Sequence, residues 1–571
     1  MRHVKRKNIS TALFAALIVI LYTAGWIADN TIIVRSDNVD LPQTAVIMGL
    51  SAAAAGAAVY FCTLKLFAYI DLQSSAAPEQ TIRHAFWKFT AFFMICWLPY
   101  MLIRFPGNMD PDTYWEILEP YGLAPANDHH PWFDTIVFYF FWRIGDLFSA
   151  HSVSLFLYGL LQMLFTAMTF SFFLCYLTNH GIARKVRTFA LIFWAFYPCV
   201  PMFAQTMAKD MMNGWLFVLF IIGYMEILQS GGEVMENVRF DTAFLLTGIF
   251  MALTKKTGIY ILLLSMILLL IICRRYRGRI LGAVLLIFAL YQELWTGILL
   301  PYWNVADGEQ AEMLSIPSQQ VAELIAMNSG ELTAGDWKVL NAVYDSPEKM
   351  SQEYNPVRAD NTKAHWKNDA SETDKRTFFV WYLEMGMKHP LLFINVFNAN
   401  NYPLLCMDTS SGGDESLIFY RNNVPVTGMG AEQEKTYASW SGGLADQSEV
   451  HAVFASAYRS PWAAFVSRAF DFMLKILMRM LPVIFSKVLF AVWVPMLIMF
   501  YAFYKKSVRM FAALLPVFLN TLTLAAGPVV LPRYMVNSVY VFPVLIALPF
   551  IMSSMYGFRM GEHVMVQERT E

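Results

Sequence analysis

Two carboxylates and two adjacent histidines sit in a short polar interval of an otherwise apolar chain. They fall in Arg104-Phe-Pro-Gly-Asn-Met-Asp110-Pro-Asp112-Thr-Tyr-Trp and in Asn127-Asp128-His129-His130-Pro131-Trp132. Acids and imidazoles held between hydrophobic runs are costly to place at a membrane face and commonly mark a site. A carboxylate there can take the proton of a hydroxyl, and cations opposite it can stabilise a departing phosphate. Asp110 and Asp112 are the candidate catalytic acids, with Asp110 preferred as the base. Lys209, Lys255, Lys256 and Arg533 are the candidate phosphate partners, each at the end of an apolar run. Lysine would act as a point charge and arginine as a fork that can hold two oxygens. His129, His130, Asp210 and Tyr534 complete the set as substrate contacts.

Each of these residues also has a purely structural reading. Asp-Pro-Asp-Thr ahead of Tyr114-Trp115 is a helix N-cap signal. His129 and His130 can cap a helix that starts at Pro131, and Asp210 can pair with Lys209. The lysines can be snorkelling anchors and Tyr534 an interface aromatic. The chemistry requires no cofactor and no metal, although an Asp/His cluster could hold a divalent ion.

These residues must be positioned by membrane helices. The 571 residues are 57% apolar and 15% charged, against roughly 45–50% and about 25% in soluble proteins. The excess lies in runs of about 18 residues or more, which is transmembrane length. A net charge of −1, with no basic tract beyond the N-terminus, gives no support for nucleic-acid binding, and none is expected. The six cysteines form neither a disulfide framework nor a CxxC metal pattern. The fold class is therefore an all-α polytopic membrane protein whose first partner is the lipid bilayer.

The run 9–28 follows a basic N-terminus and reads as a retained first span with its start inside. Further spans are expected near 43–70, 86–103, 153–177, 187–204, 211–229, 242–256, 258–273, 279–300, 482–504, 508–526 and 538–555, which makes twelve. With 132–148 lying along the surface as an interfacial helix, the basic clusters Arg184/Lys185/Arg187, Arg274/Arg275/Arg277/Arg279 and Lys505/Lys506/Arg509 all become cytoplasmic. Both termini are then cytoplasmic. The acidic loop, the turns at 205–210, 255–258 and 531–534, and the segment 301–481 share the extracytoplasmic face. Lysines and an arginine on that face oppose the positive-inside bias, and binding an anionic head group would account for them.

Four regions follow. Residues 1–85 form an N-terminal pair of spans, and 86–300 a membrane core with its acidic first loop at 104–152. Residues 301–481 form a large extracytoplasmic segment, and 482–571 the C-terminal spans with a short tail. Within 301–481, helices are expected at 317–328 and 374–388, a loop over the Gly/Ser/Asn-rich 408–448, and an interfacial helix over Phe465–Leu481.

The layout resembles the GT-C superfamily of integral membrane glycosyltransferases, which includes protein mannosyltransferases and lipid A aminoarabinose transferases. Asp110-Pro-Asp112 is similar to the acidic motif of that family's first extracytoplasmic loop. His129-His130-Pro131 resembles its His-Pro motif entering juxtamembrane helices, and Lys209-Asp210 after Tyr197-Pro198 its second acidic turn. Arg533-Tyr534 resembles a late basic turn of some members. Here a proline separates the two acids, and His-Pro is followed by Trp132. The resemblance covers about residues 86–300, is nearest to uncharacterised bacterial members, and implies a GT-C fold in a bacterial plasma membrane. It also implies an inverting transfer from a polyprenyl-phosphate-linked sugar donor to an envelope glycan, lipid or protein acceptor. The rival readings are a transporter or flippase of a lipid-linked precursor, a polysaccharide polymerase or ligase, and a non-catalytic scaffold. A transporter would place functional charges within the spans, whereas here they gather at span ends.

Overall fold

A computed structural model describes residues 2–28, 41–72, 83–308, 310–407, 417–553, 556–557 and 564–565. Part of the expected loop 408–448 and most of the C-terminal tail lie outside the described residues. The architecture is helical. The N-terminal half runs α1 (Arg2–Ala28), α2 (Leu41–Leu72), α3 (Arg83–Ile103), α4 (Pro111–Leu118), α5 (Trp132–Phe148), α6 (His151–Asn179), α7 (Arg184–Phe196), α8 (Cys199–Ala204), α9 (Lys209–Ser230), α10 (Val238–Thr254), α11 (Lys256–Ile272) and α12 (Arg274–Tyr302). The helices used below from the second half are α13 (Ser315–Asn328), α14 (Glu372–Lys388), α15 (Pro390–Asn400), α16 (Tyr402–Leu405), α17 (Pro461–Met480), α18 (Leu489–Lys505), α19 (Val508–Ala525) and α20 (Pro532–Ile551).

Among the described residues, eight helices are long and apolar enough to cross a bilayer: much of α1 and α2, then α3, α6, α9, α12, α19 and α20. The chain is a multi-pass membrane protein. Helices α11 and α18 are apolar but shorter. The run expected to span 187–204 is divided, because Tyr197-Pro198 separates α7 from α8; proline cannot supply the N–H that would carry α7 onward. The run expected at 482–504 is likewise two pieces, a turn at Pro482–Phe485 and then α18. Helices occur where expected near 317–328 and 374–388 (α13 and α14), and α17 covers the expected helix before the C-terminal spans. The expected loop 408–448 is corrected at its C-terminal end: Ala431–Trp440 is helical, and Tyr437 from it stacks on Tyr114 of α4 at 5.0 Å. Glycine and serine content hid a helix whose stability comes from that packing.

Between membrane helices the hydrophobic effect adds little, so close packing and hydrogen bonds hold the bundle. Phe170 of α6 and Trp194 of α7 stack at 4.2 Å, and Tyr540 of α20 meets Phe170 edge-on at 5.1 Å. The indole N–H of Trp97 donates to the Trp194 carbonyl at 3.0 Å, and that of Trp194 to the Tyr540 carbonyl at 3.1 Å. Indole thus supplies both the packing surface and the donor that joins α3, α7 and α20. Six helix ends meet at one end of the bundle: the C-termini of α3 and α10 and the N-termini of α6, α9, α11 and α20.

Candidate functional site

The acidic loop is built into that end of the bundle by backbone pairing. Asn108–Met109 (β1) runs parallel to Thr206–Met207 (β2), and the Asp110 N–H donates to the Met207 carbonyl at 3.2 Å. The Thr113 hydroxyl donates to the same carbonyl at 2.9 Å. Gly107, at φ 147°, turns the chain from α3 into β1, a conformation open only to glycine. The loop at 417–424 runs across from the far side of the sequence. There the Asn423 N–H donates to the Asn108 side-chain carbonyl at 2.8 Å, and Asn422 donates to the Gly107 carbonyl at 3.2 Å. Arg104, with no exposed surface, donates to the Tyr420 carbonyl at 2.9 Å and pairs with Asp471 of α17.

This register sends Asp110, Asp112, Lys209, Asp210, Lys255 and Arg533 to one place. Asp110 caps α4 by accepting from the Asp112 N–H at 3.2 Å. Its carboxylate also accepts from Arg533 and from the Tyr420 hydroxyl. The second prong of Arg533 donates to Asp112 at 2.7 Å. Lys209 lies 3.3 Å from the same Asp112 oxygen, and its ammonium donates to His130 Nδ1. Asp210 accepts from Lys255 at 2.8 Å and faces Arg533 Nε at 3.8 Å. Tyr534 lies beneath both cations, 4.9 Å from Arg533 and 5.5 Å from Lys255 at its ring centre, and its hydroxyl accepts from Arg533 at 3.0 Å.

Lys256 and His129 stand at the rim. Lys256 pairs with Asp128 at 2.8 Å, and His129 lies 3.8 Å from Glu312, which in turn holds Lys363 at 2.5 Å. The turn between α10 and α11 that carries both lysines closes tightly, since a Cβ at Gly258 would run into the Met251 carbonyl. The residues singled out in the sequence therefore gather at one end of the bundle, with His129 and Lys256 in separate ion pairs at the rim.

The order of the two acids differs from expectation. The Asp110 side chain is 3% exposed and its oxygens are taken by Arg533, Tyr420 and the cap, whereas that of Asp112 is 26% exposed. A carboxylate already saturated with donors is a poor base, and of the two acids Asp112 has the more open carboxylate, although Arg533 and Lys209 both lie against one of its oxygens. The N-cap reading of Asp110 is the one the geometry supports. The four cations are also not vacant: Arg533, Lys209, Lys255 and Lys256 are each paired with an aspartate of the chain. An anion would have to displace an aspartate at any of them, and Lys256 has the most exposed side chain of the four, 38% against 18% for Lys209.

Behind the charged set lies a layer of acids with little company. Glu116 and Asp134 are fully buried, and none of their four carboxylate oxygens has a hydrogen-bond partner. Burial pushes both well above the ordinary carboxylate range, and an isolated buried carboxylate is too costly to ionise. Glu119 accepts from Asn127 at 3.1 Å but is pushed by burial up to about 8. Burial and the Lys209 charge lower His129 and hold His130 well below its ordinary value. For His130 that agrees with its Nδ1 accepting from an ammonium, which fixes the proton on Nε2. Among the described residues, no three of His, Cys, Asp and Glu converge as they would around a metal ion.

One turn into the bundle, buried amides tie together the helices that deliver these groups. Asn537 of α20 donates to Asn213 of α9 and to Asn520 of α19, both at 2.9 Å. Asn213 donates to the Met251 carbonyl at 2.9 Å and to Thr254 at 3.1 Å, both of α10. Asn213 and Asn537 are three and four residues beyond Asp210 and Arg533, one helical turn, and Thr254 immediately precedes Lys255. The amide network therefore sets the relative height of the three helix ends. Sequence reading missed Tyr420, Glu116, Asp134 and this network. Asn213 and Asn537, polar residues inside apolar runs, are the signal that could have revealed the last.

No curated protein sequence and no solved structure matches the chain. A family model does match, over residues 118–557, a stretch that includes His129, His130, Lys209, Asp210, Lys255, Lys256, Arg533 and Tyr534 and begins just after Asp110 and Asp112. That stretch is most of the chain, and the protein belongs to the matched family, DUF6020, a family of unknown function.

Proposed function

We propose that the protein is a GT-C-like membrane glycosyltransferase that moves a sugar from a polyprenyl-phosphate donor to a hydroxyl of an envelope glycan, lipid or protein. One observation carries the reading: a half-exposed carboxylate, Asp112, lies between Lys209 and Arg533 at one end of a helical bundle. In the proposed step Asp112 takes the acceptor hydroxyl's proton as that oxygen bonds to the anomeric carbon. The bond from that carbon to the phosphate oxygen breaks, and polyprenyl phosphate leaves with the electron pair. Attack opposite the leaving group inverts the anomeric centre. Lys256 is the cation most open to the phosphate and Lys209 stands beside Asp112, while Arg533 holds Asp112 in place and Asp110 fixes Arg533. The step requires no metal or cofactor.

The same reading gives the chain twelve crossings, counting α1, α2, α3, α6, the broken α7–α8 pair, α9 to α12 and α18 to α20. That count returns the basic turns near 184, 274 and 505 to the cytoplasm, with both termini, and leaves the charged set on the extracytoplasmic face of a bacterial plasma membrane. The test is a donor panel. Wild-type protein in nanodiscs is incubated with polyprenyl phosphates bearing different sugars, with an envelope extract as acceptor. Release of free polyprenyl phosphate, dependent on the extract, supports the transfer. Movement of an intact lipid-linked sugar across a vesicle membrane, with no release, supports a flippase instead.

A further inference from the structure

Helix α15 is apolar on both sides, although it belongs to the polar segment 301–481, and α14 adds an exposed apolar stripe bordered by Arg376, Glu384 and Lys388. Their inner face packs Phe378, Trp381 and Phe393 into a core with α13. Their outer face exposes Val380, Leu383 and Met387 on α14, and Leu391, Ile394 and Phe397 on α15. The spacing of three or four residues makes one stripe that continues through the turn at His389-Pro390. A helix as apolar all round as α15 is covered on its second face by protein or by lipid, and the exposed patch it forms with the α14 stripe marks an interaction surface.

We propose that this hairpin is a membrane-docking element whose outer face lies in the interfacial layer of the bilayer. Two features identify lipid as the occupant. The stripe is continuous with the lipid-facing surface of a span: α15 and α16 pack along α1, so closely that a Cβ at Gly25 of α1 would lie 2.8 Å from Leu405. The level is set by a second span, because Asn401 and Asn400 donate to the Ala525 and Gly527 carbonyls at the end of α19, at 3.0 and 3.2 Å. Eleven residues of α15 reach only about 16 Å, half the hydrocarbon thickness of about 30 Å. The hairpin therefore lies in the interface rather than crossing. Arg376 and Lys388 flank the stripe on the exposed side, where long basic side chains can reach head groups.

The docking has a consequence for the charged rim. Gln320 of α13 donates to the Phe393 carbonyl at 2.9 Å and accepts from Tyr382, so α13 moves with the hairpin. The turn before α13 carries Glu312, the partner of His129 and Lys363. Membrane contact at the hairpin thus fixes the height of one wall of the site. The inference holds whether or not the protein transfers sugars.

The test uses the full chain in phosphatidylcholine–phosphatidylglycerol nanodiscs. Cys62, the exposed cysteine among those described, is replaced by serine, and nitroxide labels are placed at Leu383→Cys, at Leu391→Cys and, as the polar control, at exposed Lys338→Cys. Collisions with oxygen and with a water-soluble nickel complex are compared at each site. Lipid docking predicts an oxygen-to-nickel accessibility ratio several-fold higher at 383 and 391 than at 338. A ratio equal to that at 338 would put the face in water and overturn the proposal. Labels at 383 and 391 shielded from both reagents would overturn it as well, since the face would then be covered by protein, as in a dimer. Met387→Cys repeats the measurement should either variant fail to fold.

Discussion

Two aspartates at opposite ends of the bundle gather cations and tyrosines around them, and they are completed differently. Asp71, near the end of α2, accepts from Tyr501 at 3.0 Å, Tyr504 at 2.7 Å and Lys505 at 3.0 Å, with Lys7 of α1 at 3.7 Å. No atom of that cluster is buried without a partner among the described residues. It is a clasp that fastens the N-terminal helix pair to α18. At the other end, Arg533 serves Asp110, Asp112 and Asp210 at once, while Arg533 Nε, Asp210 Oδ2 and all four oxygens of Glu116 and Asp134 are buried without a hydrogen bond. Folding normally pairs such groups. The first cluster is closed by the chain's own side chains, whereas the described side chains leave buried polar atoms of the second without a bond.

The contrast can be broken by substitution, and in unfolding free energy the largest effect belongs to Arg533. Arg533→Gln leaves Asp110 charged, buried and short of its principal donor, a cost of about 3–5 kcal/mol. Asp110→Asn combined with Arg533→Gln should recover most of that loss, read from thermal or denaturant unfolding in detergent. An equal loss in the single and double variants would show that the pair is not the source. Asn537→Leu comes next. It strands the Asn213 and Asn520 carbonyls inside the bundle, at about 1–3 kcal/mol for each unsatisfied group. Its cost should exceed that of Asn328→Leu, at the half-buried end of α13 where the side chain donates to Glu331 at 2.9 Å, in the same assay.

Asp71→Asn should cost about 1 kcal/mol or less, since its ion pairs are partly open to solvent. The clasp reading further requires that this variant keep full activity at a temperature where it is folded. The last effect is a slope with pH, not a loss at one pH. Glu119 binds its proton more tightly in the folded chain, about 8 against an ordinary value of 4.5. Between those two values the folded state therefore holds more of the proton than the unfolded state does. Stability falls as pH rises through that window and levels off above it. Glu119→Gln should flatten the decline of the unfolding midpoint between pH 4.5 and about 8, and a parallel decline in both proteins would contradict the assignment.

Much of the charged end was legible in the sequence because its parts are local anomalies. Asp110-Pro-Asp112, His129-His130, Lys209-Asp210, Lys255-Lys256 and Arg533 each interrupt an apolar run at a place where charge is costly. Their convergence followed from the alternation of helix ends. What was not legible depends on partners far away in the chain. Tyr420 lies in a Gly/Ser/Asn-rich stretch with nothing local to distinguish it, yet it binds Asp110 across 310 residues. The order of the two acids was hidden for the same reason, since only the positions of Arg533 and Tyr420 show that Asp110 is occupied. The break at Tyr197-Pro198 and the apolar outer stripe of α14 and α15 were visible as residues. Their meaning required the neighbours: Trp194 and Tyr540 in the first case, α1 and α19 in the second.

The central claim is that Asp112, and not Asp110 or Asp71, meets the substrate. The most direct measurement is the rate of polyprenyl phosphate release, with a donor accepted by the wild type, for Asp112→Asn, Asp110→Asn and Asp71→Asn, each first shown to be folded. Loss of a positioned base predicts a fall on the order of 10²–10⁴-fold in turnover for Asp112→Asn, a smaller fall for Asp110→Asn through displaced Arg533, and none for Asp71→Asn. Turnover unchanged in Asp112→Asn, or lost equally in Asp112→Asn and Asp71→Asn, would contradict the account.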